Sequence, residues 1–316
     1  MLIIVFPGQG SQAVGMLAEL AARHASVRET FAEASSGADV DLWTLSQVGP
    51  ESKLNQTEFT QPALIAADVA VWRVWNACGG ASPHALAGHS LGEYAALVAA
   101  EVLDLADAAR LVRTRGRLMQ DAVPAGTGAM AAILGGDSAT IASICASVDG
   151  VVVPANDNAP GQIVIGGETA AVEQALVALA EAGIRKAIRL PVSVPSHTPL
   201  MREASEQLRE AIYACTFRTP TMPVWQNVGA RVETDIAAIR EALVAQLHQP
   251  VRWRETMEAL AATGDARFGE SGPGKVLSGL IKRIDRTADA RALGMPDDLD
   301  AARAAWQSPN MEVNHD

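Results

Sequence analysis

The opening run Leu2-Ile3-Ile4-Val5-Phe6 is apolar at every position rather than at every other one, and Pro7-Gly8 stops it. A strand with that pattern has both faces covered, which predicts a parallel sheet with helices on each side and an α/β protein. Spaced apolar positions among charged neighbours predict helices over 14–34, 62–77 and 105–119. A short strand over 85–87 runs into Gly88-His89-Ser90-Leu91-Gly92, after which helical composition resumes over 93–100. With 49% hydrophobic residues in 316 positions, the chain can build one interrupted domain or two.

From residue 126 the order of elements changes. Strands are expected over 129–134, 151–154, 162–165 and 185–190, with helices over 138–147 and 170–182 between them. This β-α-β-β-α-β order predicts a small ferredoxin-like unit over 126–195, an antiparallel sheet with two helices on one face. Past Pro195 the larger unit resumes, with helices over 200–214, 236–247 and 276–284 and a strand over 224–227. The polar, acidic stretch 308–316 is expected to fray.

Charge and cysteine content remove several function classes. Lys and Arg number 25 against 36 Asp and Glu, and a net charge of −11 argues against nucleic-acid binding while leaving room for a local basic patch. Cys78, Cys145 and Cys215 are too few and too scattered for a disulfide framework or a thiolate metal cluster, so no metal is expected and the setting is expected to be reducing. No apolar run approaches the roughly 18 residues of a membrane span, and no leader pattern precedes the first strand. A soluble cytoplasmic protein is the expectation.

The segment 88–92 satisfies G-x-S-x-G between a strand and a helix. Glycines on both sides let the chain turn sharply and project the Ser90 hydroxyl, while the amides that follow sit at a helix N-terminus suited to a developing oxyanion. Read blandly, the same residues are a Gly/Ser turn that caps a helix. A serine nucleophile needs a base. Of six histidines, His197 stands at a loop-to-helix position after a Pro-marked stretch, although a structural or exposed histidine fits that position equally. No acidic residue stands out as an orienting partner: Asp157 falls in the small unit, and Glu203 and Glu206 read as solvated helix residues. A backbone carbonyl is the other way to fix the ring's tautomer.

Two glycine-rich turns resemble phosphate loops and fail in detail. Gly8 and Gly10 follow the first strand, but the next glycine is Gly15, so the dinucleotide spacing is not met; an amide at Gln9 aimed at an active-site anion is the alternative use. Gly269 to Lys275 gives G-x-x-x-x-G-K, yet Val276 stands where a hydroxyl must meet magnesium. There Lys275 either faces a phosphorylated substrate or partner or is a solvated helix-start lysine.

Taken together and in order, Phe6-Pro-Gly-Gln-Gly-Ser-Gln12, Thr60-Gln61-Pro62-Ala63, Gly88-His-Ser-Leu-Gly-Glu93, Arg113-Thr-Arg-Gly116, Asn158-Ala-Pro-Gly-Gln-Ile-Val164, Val192-Ser-Val-Pro-Ser-His197, Pro250-Val-Arg-Trp253 and Gly272-Pro-Gly-Lys275 resemble the malonyl-CoA:acyl carrier protein transacylases of fatty-acid synthesis. The resemblance spans essentially the whole chain. It implies an α/β-hydrolase-like domain, 1–125 and 196–316, interrupted by the ferredoxin-like domain 126–195, with the active site between them. It also implies transfer of malonyl from malonyl-CoA to the phosphopantetheine thiol of holo acyl carrier protein by a ping-pong route, with no cofactor and in a monomer.

By matching motifs, Ser90 looks like the nucleophile, His197 its base, and the amides of Gln9 and Leu91 the oxyanion hole. Arg115 looks like the partner of the malonyl carboxylate. The carbonyl of Gln246 looks like the group that orients His197, with Gln249 the alternative in the same run. Ser196 and Met201 are further candidates for acyl selectivity. Arg113 and Arg117 then read as solvated or supporting, because positions two apart on a helix do not share a face. Arg252, Arg254, Lys275, Lys282 and Arg283 form a basic concentration expected to flank the entrance, with Lys275, Lys282 and Arg283 as the contacts to carrier protein or CoA; solubility and helix-dipole matching are the plain alternative. A malonate decarboxylase subunit, a polyketide transferase, a serine thioesterase and a scaffold without activity are competing readings, separated by the acceptor used and by the fate of an acyl-enzyme.

Overall fold

The computed structural model describes residues 1–306 apart from 125, 193 and 263, so the stretch 308–316 lies outside the described residues. Among the described residues ten strands follow one another: β1 Leu2–Phe6, β2 Ala85–Gly88, β3 Gly128–Leu134, β4 Val152–Ala159, β5 Gln162–Glu168, β6 Lys186–Arg189, β7 Val224–Gln226, β8 Arg231–Val232, β9 Arg267–Glu270 and β10 Asp289–Ala292. They form two sheets. The larger has the order β10-β9-β1-β2-β7-β8, parallel throughout except for the short β7/β8 pair at one edge.

The uninterrupted apolar character of β1 has a direct cause in this arrangement. Ile4 and Phe6 point into a core shared with the helices Thr57–Ala77, Gly92–Ala99 and Leu105–Asp121. Ile3 and Val5 point the other way, onto Trp253, Met257, Phe268, Leu277 and Ile281. Since successive side chains alternate between faces, a strand covered on both sides must be apolar at every position.

The smaller sheet has the order β4-β5-β3-β6, with every neighbouring pair antiparallel. Ala129, Ala131, Ile133, Ile163 and Ile165 present one face to the helices Ser138–Ser147 and Thr169–Glu181. The opposite face carries Met130, Ala155 and Val164 with Leu190. Met130 and Leu190 also line the cleft over the larger unit. The Val251 backbone ties the two units together: its amide donates to Ala155 O at 2.9 Å and its carbonyl accepts from Asp157 N at 3.0 Å.

Several elements depart from the sequence expectation for local reasons. The helix expected over 14–34 is two helices, Ala18–Arg23 and Ser26–Ala38, because His24 between them is extended. The strand expected over 151–154 continues to Ala159 through two register shifts, which carry Pro154 and the polar Asn156-Asp157-Asn158 along the sheet. The helix expected from Pro62 begins at Thr57. Five residues of that helix precede the proline, so its missing N–H forfeits one i→i−4 bond, the one Glu58 O would have accepted. Pro296–Trp306 and Trp253–Ala261 are helices to which no expectation was attached.

Candidate active site

Ser90 sits in the corner between β2 and the Gly92–Ala99 helix with φ of 53°, left-handed backbone that a non-glycine residue adopts only under constraint. The flanking glycines allow the corner. A Cβ on Gly88 would lie 1.9 Å from the Gly92 carbonyl carbon, and one on Gly92 would lie 2.0 Å from Phe6 O. The side chain of Asn227, just past β7, holds the corner: its Oδ1 accepts from Ser90 N at 2.7 Å and its Nδ2 donates to Gly88 O at 2.6 Å.

His197, 107 residues downstream, places Nε2 2.7 Å from Ser90 Oγ. Its Nδ1 lies 2.7 Å from the carbonyl oxygen of Gln246. A carbonyl can only accept, so the ring proton sits on Nδ1 and the Nε2 lone pair faces the hydroxyl. Of the two glutamines open at the sequence level, Gln246 therefore supplies the contact. His197 is itself in left-handed backbone, with φ of 62°, and its amide is anchored to Leu247 O at 3.0 Å. Burial, and after it the positive charge of Arg115, brings the His197 pKa down to about 3, so the ring is neutral near pH 7.

Arg115, on the Leu105–Asp121 helix, is 1% exposed. Its Nη1 donates to Gln61 Oε1 at 2.9 Å, and its Nη2 donates to Gln246 Oε1 at 3.0 Å and to Ser90 Oγ at 3.3 Å. The guanidinium carbon stands 5.6 Å from the centre of the Tyr94 ring. Nε has no acceptor, and no carboxylate forms an ion pair with Arg115 among the described residues. The guanidinium is thus buried, held by neutral acceptors and in contact with the serine hydroxyl. Burial lowers the Arg115 pKa, but from so high a value that the group stays charged.

Ser90 and His197 open on a cleft of about 420 Å³ lined by residues of both units, among them Gln9, Gln12, Asn55, His89, Met130, Asn156, Leu190, Val194 and Ser196; Arg115 is not among its lining residues. The first turn reaches the corner closely: a Cβ on Gly8 would lie 2.6 Å from His89 O. Gln9 lines the same cleft as Ser90 and Leu91 follows it in the chain, and neither the Gln9 nor the Leu91 amide has a partner among the hydrogen bonds of the described residues. His89 itself is turned away from the serine. Its Nε2 lies 2.8 Å from Asn158 Oδ1 on β4, and its ring packs edge-on to Trp253 at 5.3 Å.

The remaining expectations fall in different places. Met201 is fully buried in the core, while Ser196 lines the cleft. Arg113 pairs with Glu58 at 3.0 Å and donates to Ala38 O, and Arg117 is exposed. Lys275, Lys282 and Arg283 are exposed and are not among the cleft-lining residues; Arg283 is hydrogen-bonded to Gln162. The expected basic concentration is partly neutralised, because Arg252 pairs with Glu255 and Arg254 with Asp157. The phosphate-loop lookalike has a plain explanation: the amides of Leu277 and Ser278 at the start of the Val276–Ile284 helix are taken by the carboxylate of Glu270, where a phosphate would sit. Among the described residues no cluster of His, Cys, Asp and Glu is arranged to hold a metal, and no helix is long and apolar enough to cross a membrane.

Gln61, Glu93, Asn227 and the Gln246 side chain had no role at the sequence level. Glu93 adjoins the serine motif and Gln61 belongs to a quoted motif, so position hinted at both; nothing in the sequence singled out Asn227. Glu93 is fully buried, and burial pushes its pKa up to about 7 against the opposing pull of Gln246, Asn227 and Arg115.

A family model described as an acyl transferase domain matches residues 3–303. The chain is 56% identical over 300 residues to the malonyl CoA-acyl carrier protein transacylase of Salmonella typhimurium, covering 94% of this chain and 97% of that one. It is 43% identical over 312 residues to the protein of that name from Bacillus subtilis, covering 98% of each. The crystal structure of malonyl-CoA:acyl carrier protein transacylase from Xanthomonas oryzae is similar with a TM-score of 0.95 at 62% identity, covering 96% of this chain and 98% of that one. A malonyl-transacylase solved in complex with its type II PKS acyl-carrier protein gives 0.94 at 50% identity, with 96% and 99% covered.

Proposed function

Because the chain belongs to the malonyl-CoA:acyl carrier protein transacylase family and is an acyltransferase, we propose that it moves malonyl between thiols through an ester on Ser90. In the first half-reaction His197 Nε2 takes the Ser90 proton as Oγ attacks the thioester of malonyl-CoA. The amides of Gln9 and Leu91 receive the oxyanion, each such donor contributing about 3 kcal/mol to the transition state. Collapse expels the CoA sulfur, which takes the proton back from the imidazolium. In the second half-reaction the phosphopantetheine thiol of holo acyl carrier protein gives its proton to His197 and attacks the ester. Ser90 then leaves as a hydroxyl.

The observation that carries this reading is the convergence on one oxygen atom. Ser90 Oγ faces a neutral imidazole at 2.7 Å and an unpaired buried guanidinium at 3.3 Å. A base beside the nucleophile serves any acyl transfer; a guanidinium lacking a carboxylate partner calls for an acyl group that brings one. Arg115 is thus the reader of the distal malonyl carboxylate, through a planar fork that suits it.

The fold is proposed as an α/β-hydrolase-like domain, 1–125 and 196–316, with a ferredoxin-like insertion over 126–195; the two sheet orders and the all-antiparallel smaller sheet support it. The chain is proposed to act as a monomer, and three free thiols fit a reducing cytoplasm. Lys275, Lys282 and Arg283 are proposed to steer the acidic carrier protein from outside the cleft. The relative solved with a PKS carrier favours, as a second reading, a polyketide rather than a fatty-acid carrier.

Intact-mass measurement after brief mixing with malonyl-CoA tests the route. One malonyl adduct is expected, mapping to Ser90, discharged by holo carrier protein and missing in Ser90→Ala. Turnover with no adduct at any mixing time would eliminate the covalent path.

A further inference from the structure

Glu93 touches neither the cleft nor the reacting atoms, yet a single carboxylate oxygen joins the groups that do. Its Oε2 accepts from Asn227 N at 2.9 Å and from Gln246 Nε2 at 3.0 Å. Through Asn227 it reaches the serine corner, whose backbone the Asn227 side chain clamps on both sides of His89. Through Gln246 it reaches Arg115 and His197.

The polarity of these bonds leaves the Gln246 amide one orientation. Its Nε2 donates to Glu93 Oε2 and to Ser90 O, the latter at 2.9 Å. A backbone carbonyl only accepts, and the Oε2 that takes the Asn227 amide is an acceptor as well. The amide NH2 therefore faces these two oxygens and its Oε1 faces Arg115, which only donates. Turning the amide over would set oxygen against oxygen on one side and NH2 against guanidinium on the other.

We propose that Glu93 is a positioning residue for substrate choice: it fixes the Gln246 amide, which aims the Arg115 guanidinium at the acyl group carried by Ser90, and so sets the preference for malonyl over acyl groups that lack a distal carboxylate. The proposal rests on the reading of Arg115 given above. A residue that served the fold alone would support both substrates equally, whereas Glu93 supports the charged one more. Glu93→Met keeps the size but removes the acceptor, so Gln246 Nε2 and Asn227 N lose the oxygen they share and the Gln246 amide is held less firmly.

The test compares kcat/KM for malonyl-CoA and acetyl-CoA, with a fixed carrier-protein acceptor, in the parent protein, Glu93→Met, Gln246→Met, the double variant and Arg115→Ala. Gln246→Met keeps the carbonyl that orients His197 and removes only the side-chain amide. The malonyl-to-acetyl ratio is expected to fall about tenfold in Glu93→Met and in Gln246→Met, the loss of a hydrogen bond to a charged group, with no further fall in the double variant. Equal losses for both substrates in Glu93→Met, with the ratio unchanged, would overturn the proposal. If that variant does not fold, an unchanged ratio in Gln246→Met overturns it equally. Collapse of the ratio in Arg115→Ala alone would refute the Glu93 inference and leave the Arg115 reading standing; an unchanged ratio in Arg115→Ala would remove both.

Discussion

Replacing Arg115 by Ala separates recognition of the acyl group from the chemistry performed on it. The parent guanidinium is buried, holds three neutral oxygens at 2.9, 3.0 and 3.3 Å, and has no ion-pair partner among the described residues, so a malonyl carboxylate arriving on Ser90 is its natural counter-charge. Truncating one side of a buried, hydrogen-bonded charge pair costs about 3–5 kcal/mol, roughly two to three and a half orders of magnitude in malonyl kcat/KM. Acetyl brings no charge to strand. Its transfer is also helped from a second direction, since Arg115 is one of the causes holding His197 below its ordinary pKa, and removing that charge makes the base stronger. Gln61 Oε1 and Gln246 Oε1 lose their donor in the variant, so a lower Tm is expected, and rates are normalised to Ser90 sites titrated by the acylation burst. Arg115→Lys keeps the charge without the fork and should fall between the two. The reasoning fails if malonyl and acetyl transfer drop by the same factor, because the guanidinium would then serve the corner rather than the carboxylate.

With the His197 pKa at about 3, the ring stays an unprotonated base well below its ordinary 6.5. Single-turnover acylation of Glu93→Gln, which lacks the carboxyl beside the site whose pKa is pushed up to about 7, should hold steady as pH falls through 6.5; an inflection there would refute the assignment. The linked effect of this ring on stability has its own sign: below 6.5 the unfolded chain takes up a proton that the buried ring refuses, so the denaturation midpoint of the parent relative to His197→Gln should decline on acidification from that point, while the raised carboxyls of Glu93, Asp68 and Glu270 act in the opposite sense in both proteins. Gly92→Ala should destabilise by about 3 kcal/mol or more, since its Cβ would stand 2.0 Å from Phe6 O, a backbone atom that cannot swing aside; a denaturant midpoint equal to the parent's would contradict that close approach. Reversing Lys275 and Lys282 to Glu should raise KM for holo carrier protein while leaving transfer to a minimal pantetheine thiol alone. Equal effects on both acceptors would dissociate those lysines from docking.

Periodicity located most elements because the forces that shape them are local or nearly so. The uniform apolar run of β1 reported a strand with two buried faces, and the alternating strands and helices past residue 126 reported a sheet with its own two helices on one side. Where the expectation slipped, a tertiary partner had overruled the local signal. Asn156-Asp157-Asn158 reads as a polar loop by composition, but Val251 pairs with its backbone, Arg254 neutralises Asp157 and His89 meets Asn158, so the strand continues.

The candidate site divides along the same line. Ser90 was legible because its corner demands glycine at two fixed places in a short stretch, a steric requirement written into adjacent residues. His197 and Arg115 carry no comparable local mark, and motif resemblance was needed to pick them from among other histidines and arginines. The groups that hold them, Gln61, Glu93, Asn227 and the Gln246 amide, are ordinary polar residues on separate elements, up to 156 positions from the atoms they bond. Their significance lies in the polarity of each bond once burial has excluded water. A buried acceptor dictates that its neighbour donate, and the neighbour's other end is then committed as well. From the corner through Asn227 to Glu93, Gln246 and Arg115, that rule leaves little freedom, so a single change of polarity at Glu93 should propagate to the acyl group without moving the backbone.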